Sequence, residues 1–325
     1  MRLVVWVWLT WSGHTLKLLG ALRNKLGTRN PPRSVALKDK VSEGKTVLTS
    51  IGRMRILKQL GEGSFGSVFK AEWMEARKLV AFKIELAVET SKCIVGNAPR
   101  GYLAIEHEWT IMAAMNRTDG FPLVYTHNFS GKYKYYVMQL LGGNVSGIRK
   151  LYPDKRIPKK RFVPFAHQML DRIETLHDRD VLMYDIHLGN FMVDKEKIFV
   201  IDLGMAIPFR YESGKHVRYS QSPISDDCKQ AYYCSRHDAA GKVVSRRDDL
   251  ERLIFIWIDL STGRLPWSHL KDWNAIQLVK LEISAEKLCV GVEWMIPIVE
   301  YVFGMSFTDR PNYAYIHGLL NKGLT

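Results

Sequence analysis

The sequence lacks the features that mark zinc-binding, disulfide-rich and membrane-spanning proteins. It has only four cysteines in 325 residues, and no two of them form a C-x-x-C pair, so a zinc site and a dense disulfide framework are disfavoured. The N-terminal apolar run Leu3–Leu9 is seven residues long, whereas a membrane-crossing helix needs about 20. We therefore expect reduced thiols and a cytoplasmic location, with the nucleus as the alternative.

Acidic residues are missing from the first 38 positions. Residues 1–50 contain nine Lys or Arg and two acidic residues, so +7 of the formal charge of +14 lies in this segment. We interpret it as a basic, acid-poor leader and linker, whose Trp6, Trp8 and Trp11 leave weak contact with a membrane surface open. Since the remaining charge is spread thinly and no basic stripe carries interleaved aromatic residues, we expect no nucleic-acid partner.

The glycine-rich segment Leu60–Val68 is the first motif that carries chemistry. It has the form G-x-G-x-x-G-x-V between alternating apolar patterns, which predicts a strand, a tight turn and a second strand. Glycines let the backbone approach phosphate oxygens without Cβ clashes. A dinucleotide-binding fold would begin a helix after the third glycine, but Val68–Glu72 continues as a strand pattern.

A single lysine interrupts the next apolar strand. Lys83 lies within the segment Leu79–Ile84, and a lysine in such a strand needs a partner unless it extends to solvent from a sheet edge. We favour a phosphate-binding lysine that pairs with a glutamate on the following helix. Glu106 and Glu108 are the candidates, and Glu108 is favoured because apolar residues follow it at +3, +4 and +7 on the same helix face.

The third motif sets two oxygen ligands around a candidate base. Asn190 follows Asp185 by five positions, and Asp202 stands two residues before a glycine. A phosphoryl-transfer site needs an Asp facing the substrate hydroxyl and an Asn and an Asp for magnesium. Alone, this spacing is more typical of an ordinary polar loop, so its interpretation as a catalytic site depends on the two upstream motifs.

With all three motifs in order, the chain resembles the eukaryotic protein kinases and, within them, the casein kinase 1 group and its tau-tubulin kinase-like branch. The resemblance extends from about Ile51 to about Leu320. Group-specific matches are a hinge at Val137–Gly142, a helix-start signature at Ser245–Glu251, a turn at Gly263–Trp267 and a late turn at Thr308–Tyr313.

The resemblance implies an α+β, two-lobed protein kinase fold. A small antiparallel β-sheet lobe with one regulatory helix would cover residues 51–138, a hinge residues 139–143, and a larger, mainly α-helical lobe residues 144–323. Residues 1–50 would stay outside. The segment Asp248–Leu260 is apolar on nearly every face, which predicts a helix buried in the larger lobe.

The resemblance also implies an active site with ATP and Mg²⁺ as cofactors. Asp185 would take the substrate hydroxyl proton, Lys83 would hold the α- and β-phosphates, His187 would lie beside them, and Asn190 and Asp202 would hold Mg²⁺. The residues expected around ATP are Leu60, Gly61, Gly63, Ser64, Gly66, Val68, Ala81, Lys83, Glu108, Met138, Gln139, Leu141 and Met192. We expect a monomer that phosphorylates serine and threonine in protein substrates, with acidic substrates favoured by the cationic surface.

Four positions depart from the family pattern. Tyr184 stands where the family has Arg, His187 where it has Lys, Gln230 where it has Thr, and Tyr232 where it has Arg. The alternative hypothesis is therefore a catalytically weak or silent kinase fold that binds nucleotide and acts as a scaffold. A lipid or small-molecule kinase is a weaker third hypothesis, because the hinge and the substrate loop match a protein-kinase group.

Overall fold

The computed structural model describes residues 41–63, 66–86, 104–129, 133–222 and 232–323. The predictions for residues 1–40, Ser64 and Gln230 lie outside these ranges. Within them the predicted α+β, two-lobed architecture is confirmed: a β-sheet lobe is followed along the chain by a mainly helical lobe.

The small lobe is a six-stranded antiparallel sheet with one helix. The strands lie side by side in the order β1-β2-β3-β4-β6-β5. Their bounds, with helix α1 between β4 and β5, are β1 Thr46–Thr49, β2 Gly52–Gly63, β3 Gly66–Trp73, β4 Lys78–Leu86, α1 Ala104–Ala114, β5 Val124–Asn128 and β6 Tyr133–Gln139. The predicted strands on both sides of the glycine turn and around Lys83 are thus present.

The sheet begins within the segment interpreted as leader. Strand β1 pairs antiparallel with β2, with Thr46 opposite Arg55, and Val41 lies in the core under the sheet, 6% exposed. Apolar residues that alternate along β2 and β3, among them Met54, Ile56 and Phe69, form this core. The pairing favours a domain that starts before residue 51.

The larger lobe is built from helices joined by short strands and turns. Its helices are α2 Val145–Arg149, α3 Lys159–His177, α4 Arg236–Ala239, α5 Arg246–Thr262, α6 Trp273–Glu282, α7 Ala285–Leu288, α8 Ile296–Phe303 and α9 Tyr313–Lys322. Its two-residue and four-residue strands are β7 Val181–Leu182, β8 Phe191–Asp194, β9 Lys197–Val200 and β10 Ile207–Pro208. Strand β7 pairs with β10, and β8 pairs with β9 as a hairpin.

Helix α5 is the buried centre of the larger lobe, as predicted. At its start the Asp248 carboxylate accepts a hydrogen bond from the Ser245 backbone N–H at 2.7 Å, and Gly263 ends the helix in the left-handed region at φ 82°. A Cβ at Gly263 would lie 2.3 Å from a backbone oxygen of Asp154, so only glycine fits. The helix packs against α3 and α8 and fixes the floor on which the candidate site is built.

Two exclusions were drawn from the sequence. The membrane exclusion rested on Leu3–Leu9, which lies outside the described residues. Among the described residues, no helix is long and apolar enough to cross a membrane. Cys289 is a free, buried thiol, but Cys234 is disulfide-bonded. The expectation of reduced thiols is therefore wrong for Cys234, since pairing depends on which segments the fold brings together rather than on spacing along the chain.

Candidate functional site

Lys83 is the centre of a buried charge cluster between the lobes. Its Nζ lies 2.5 Å from Oε2 of Glu108 and 3.2 Å from Oδ1 of Asp202. The Tyr136 hydroxyl donates to the other Glu108 oxygen at 2.8 Å. Burial by itself lowers the pKa of Lys83, but the two carboxylates raise it above its ordinary value, so the ammonium stays charged. Lys83 is only 6% exposed, which rules out a lysine extended to solvent.

The structure distinguishes between the two candidate glutamates. Glu108 faces Lys83 from α1, whereas Glu106 forms an ion pair with Lys134 on the neighbouring strand. Glu85 accepts a hydrogen bond from the Ile105 N–H at 3.1 Å, at the start of the same helix. Helix α1 is therefore joined to the sheet by two carboxylates, and this fixes Glu108 opposite the lysine.

The loop after β7 carries Asp185 on a rigid support. Asp249 of α5 accepts hydrogen bonds from the backbone N–H groups of Met183 and Tyr184 at 2.7 and 3.1 Å. Asn190 Nδ2 donates to the backbone oxygen of Asp185 at 3.0 Å. Tyr184 has φ of 62°, a strained value that the surrounding bonds hold in place.

Asn190 and Asp202 offer the oxygen donors that suit Mg²⁺. Asn190 is buried with its amide nitrogen turned to Asp185, and Asp202, at φ 60°, points one carboxylate oxygen at Lys83. Mg²⁺ prefers hard oxygen ligands and commonly uses few protein groups beside phosphate oxygens. The chemistry of this donor set therefore fits a magnesium ion.

His187 contacts the candidate base directly. Its Nε2 lies 3.5 Å from Oδ2 of Asp185, and its Nδ1 accepts a hydrogen bond from the Gly189 N–H at 3.0 Å. Burial raises the pKa of Asp185, but the hydrogen bond and charge of His187 outweigh it and lower the pKa. Burial lowers the pKa of His187, but the hydrogen bond and charge of Asp185 outweigh it and raise the pKa above its ordinary value. Full protonation of the ring would remove the Gly189 hydrogen bond, since Nδ1 could then no longer accept it.

The apolar residues predicted around ATP come from four different strands. Ala81 of β4 lies opposite Met138 of β6, and Val68 of β3 lies opposite Lys83. Met192 of β8 pairs with Asn144, just beyond the hinge, through an isolated antiparallel β-bridge between their backbones. Their side chains are apolar and buried or half-buried, which suits the faces of a flat ring.

The remaining predicted contacts lie along the glycine turn and the hinge. Gly61 and Gly63 belong to β2, and Leu60 beside them is 49% exposed. Gly66 has φ of 119°, and a Cβ there would lie 2.2 Å from the Ile84 carbonyl oxygen, so this position requires glycine. In the hinge, the described residues Gln139 and Leu141 are half-buried.

Arg252 is a site residue that the motifs did not reveal. It rises from α5, forms an ion pair with Asp238, donates to the Tyr184 carbonyl oxygen at 2.5 Å, and stacks over the Tyr184 ring at 4.6 Å. A buried arginine therefore supports the loop at the position where the family arginine is replaced by tyrosine. The sequence did contain one indication of this role: Arg252 is a charged residue on helix α5, which was predicted to be buried on nearly every face.

A cavity of about 530 Å³ opens beside the catalytic loop. At its wall, Arg149 of α2 forms a two-bond pair with the buried Asp259 at 2.6 and 2.7 Å, and Tyr233 donates to the same carboxylate at 2.5 Å. Since Asp259 is neutralised, Lys155 and Arg264 leave the lining cationic. The sequence analysis did not identify this cavity.

Tyr232 is held in place at the rim of this cavity. Its hydroxyl contacts Ser268, and the Trp267 indole N–H donates to its carbonyl oxygen at 3.0 Å. The buried Lys280 donates to the carbonyl oxygens of Tyr232 and Cys234 at 3.1 and 2.8 Å. Where the family has an arginine, the cavity rim is therefore formed by a tyrosine ring that its neighbours hold in place.

Comparisons with known proteins agree with this geometry. The protein kinase domain family matches residues 54–295. A "Probable serine/threonine-protein kinase" of Dictyostelium discoideum is 28% identical over 283 residues, 84% of this chain and 54% of that protein. Casein kinase I homolog 2 of Schizosaccharomyces pombe is 28% identical over 294 residues, 83% of this chain and 62% of that protein. The matches thus span 54–62% of the length of these relatives.

Proposed function

This chain belongs to the protein kinase family, and we propose that it is an active serine/threonine kinase of casein kinase 1 type. One observation carries the proposal: Lys83, Glu108 and Asp202 form one connected charge cluster beside the Asp185–Asn190 pair. A scaffold that only binds nucleotide would need Lys83, Glu108 and Asp202, but it would not need the Asp185 base beside them. The relatives named as serine/threonine and casein kinase I proteins support the hydroxyl class.

The proposed mechanism assigns each residue one task. Lys83 binds the α- and β-phosphates, and Glu108 keeps its ammonium in position. Asn190 and Asp202 would hold Mg²⁺, which would neutralise charge on the phosphate oxygens. Asp185 accepts the proton of the substrate hydroxyl while that oxygen bonds to the γ-phosphorus and the bond to ADP breaks. His187 orients the Asp185 carboxylate through their contact.

The group assignment rests on the hinge, helix-start and turn motifs at Val137–Gly142, Ser245–Glu251 and Gly263–Trp267. Helix α5 begins at the second of these motifs and ends at the third. We propose protein substrates with acidic character, since the cavity beside the catalytic loop is lined by Lys155, Arg264 and the paired Arg149. The tau-tubulin kinase-like branch remains part of this proposal.

The test is phosphate transfer from Mg-ATP to casein by the full chain, compared with Asp185→Asn and Lys83→Met proteins whose folding is verified by circular dichroism. A matched control is His269→Gln, a change at an exposed surface histidine. We expect transfer by the parent and the control and loss in both site variants.

The second candidate function is a nucleotide-binding scaffold. It is favoured by His187, which places an imidazole where the family has a lysine. ATP binding by the folded parent without transfer to a broad panel of protein substrates would establish the scaffold and reject the enzyme.

A further inference from the structure

A cluster of histidine and carboxylate side chains joins α3 and α9 in the larger lobe. His167, Asp171 and Glu174 are spaced i, i+4 and i+7 along α3, so they share one helix face. His317 and Asn321 are spaced i and i+4 along α9 and meet that face. None of these residues belongs to the candidate active site.

The hydrogen bonds within the cluster determine which ring nitrogens of His167 and His317 carry a hydrogen. Asn321 Oδ1 can only accept, so at 2.9 Å the Nε2 of His167 must carry a hydrogen. In a neutral ring its Nδ1 is then an acceptor. The Nδ1 of His317 lies 2.6 Å from that atom, so it must be the donor.

This order leaves a lone pair on Nε2 of a neutral His317. That nitrogen lies 3.0 Å from Oδ1 of Asp171, and a lone pair facing a carboxylate oxygen is repulsive unless a cation lies between them. Either a proton or a metal ion satisfies the geometry. A metal-bound histidine commonly donates its other N–H to a neighbouring acceptor, as His317 does towards His167.

The donor atoms are arranged as a metal would need them. One atom each from Asp171, Glu174 and His317 lies within 4.8 Å of the other two. While His317 is neutral, the two carboxylates of Asp171 and Glu174 have no compensating charge within the cluster, and a divalent cation would supply it. All three residues are half-buried, so solvent reaches the site and water can complete the coordination.

We propose that Asp171, Glu174 and His317 form a divalent metal site of zinc type, with His167 and Asn321 as positioning residues. One imidazole and two carboxylates with an open position suit Zn²⁺ and its neighbours in the transition series. The ion fastens α9 to α3.

The fastening has a structural consequence for the catalytic loop. The same two helices meet again where the Tyr313 hydroxyl lies 2.6 Å from Nδ1 of His177. The Nε2 of His177 lies 3.1 Å from Asp249, which accepts the backbone N–H groups of Met183 and Tyr184. A metal that holds α9 in place therefore strengthens the support beneath the catalytic loop.

The test uses the metal-stripped full chain and Co²⁺ as a spectroscopic substitute for Zn²⁺. All titrations are done in an Asp202→Asn background, without nucleotide, so that the cleft contributes little. We expect one Co²⁺ per chain, with visible absorption of low-coordinate cobalt, and a rise in Tm on binding. His317→Gln and Asp171→Asn should weaken binding at least about tenfold, because each removes one ligand.

Two further variants separate the site from general surface binding. His269→Gln, at an exposed histidine, should leave Co²⁺ affinity unchanged. Asn321→Asp should keep the site, since a carboxylate only accepts, whereas Asn321→Leu should weaken it several-fold. Absence of stoichiometric binding would show that the cation is a proton on His317, and binding that survives His317→Gln would place the metal elsewhere. Either result overturns the proposal.

Discussion

The nucleotide side and the substrate side of the cleft have diverged to different degrees from the family pattern. On the nucleotide side, Lys83 meets Glu108 and Asp202 as the motifs predict. On the substrate side, Tyr184 and Tyr232 replace arginines, and Arg252 and Lys280 donate hydrogen bonds to their backbone carbonyl oxygens. Arg252 supports the catalytic loop from below, and the cavity beside that loop is bordered by the Arg149–Asp259 ion pair.

The difference separates two physical requirements. The phosphates of ATP are the same for every kinase, so a lysine, two oxygen ligands and a base must keep their charges and distances. A protein substrate is variable, so the residues that bind it can change without loss of phosphate transfer. Under the proposed function, the chain would retain the phosphate-transfer chemistry and differ from its family in what it recognises.

The largest expected effect is on the shared chemistry. Asp185→Asn should lower kcat by about 10²–10⁴-fold, since it removes the proton acceptor, while ATP affinity stays within about twofold, the binding groups being elsewhere. Steady-state kinetics with casein and a nucleotide-binding titration measure the two quantities. An unchanged kcat would mean that another group accepts the proton. The claim that this chain uses the family's catalytic residues would then be wrong.

The second prediction concerns the internal pair on the substrate side. Arg149→Ala should reduce the free energy of unfolding by about 3–5 kcal/mol, because it leaves the Asp259 carboxylate buried without its cation. The Arg149→Leu, Asp259→Leu double variant should recover most of this loss. Urea denaturation measures both.

An exposed pair is the matched control for this cycle. Arg161→Ala breaks a surface contact with Glu196 whose partners are 42% and 69% exposed, and it should cost less than about 1 kcal/mol. Equal losses at Arg149 and Arg161 would show that the substrate-side pair is not an organised part of the lobe.

The third prediction is a pH dependence on the nucleotide side. Burial raises the pKa of Glu85 from 4.5 to about 7, so its contribution to stability is fully present below pH 4.5 and is lost as the pH rises through 7. Glu85→Gln removes this loss. Relative to the variant, the parent should lose up to about 3 kcal/mol of unfolding free energy between pH 5 and pH 8. Parallel pH profiles from urea denaturation would contradict the assignment.

Sequence patterns predicted the nucleotide side because its residues sit in motifs with fixed spacing. The strand around Lys83, the choice of Glu108 and the buried helix α5 follow from periodicity. The substrate-side contacts could not be predicted, because they join residues far apart in the chain. Arg149 and Asp259, for example, are brought together only when α2 packs beside the end of α5.

The boundary of the small lobe shows the same limit. Val41 and β1 lie within a segment that composition marks as leader. Strand β1 has only four residues, which is too few for an alternation of apolar and polar residues to identify it in the sequence. Only its pairing with β2 in the structure reveals it.

The smallest expected effect tests whether His187 is a deficit or an adaptation. His187→Lys restores the family residue and places a full positive charge beside the transferred phosphate, so kcat should rise about two- to tenfold. It also removes the contact with Asp185 and the acceptor for the Gly189 N–H, which limits the gain. His187→Gln is the control, since it offers a hydrogen-bonding side chain without charge and should not raise kcat.

A fall in kcat for His187→Lys would instead indicate that the catalytic loop is adapted to histidine at this position. The imidazole touches the base and the backbone of its own loop, whereas Arg252 supports that loop from α5. If lysine gives a lower kcat than histidine, His187 and Arg252 support the catalytic loop jointly, and the loop depends on the imidazole. Measuring His187→Lys also in an Arg252→Met background separates the two cases. Independent effects that add in ΔΔG‡ indicate a simple deficit, and strong coupling indicates a rebuilt loop.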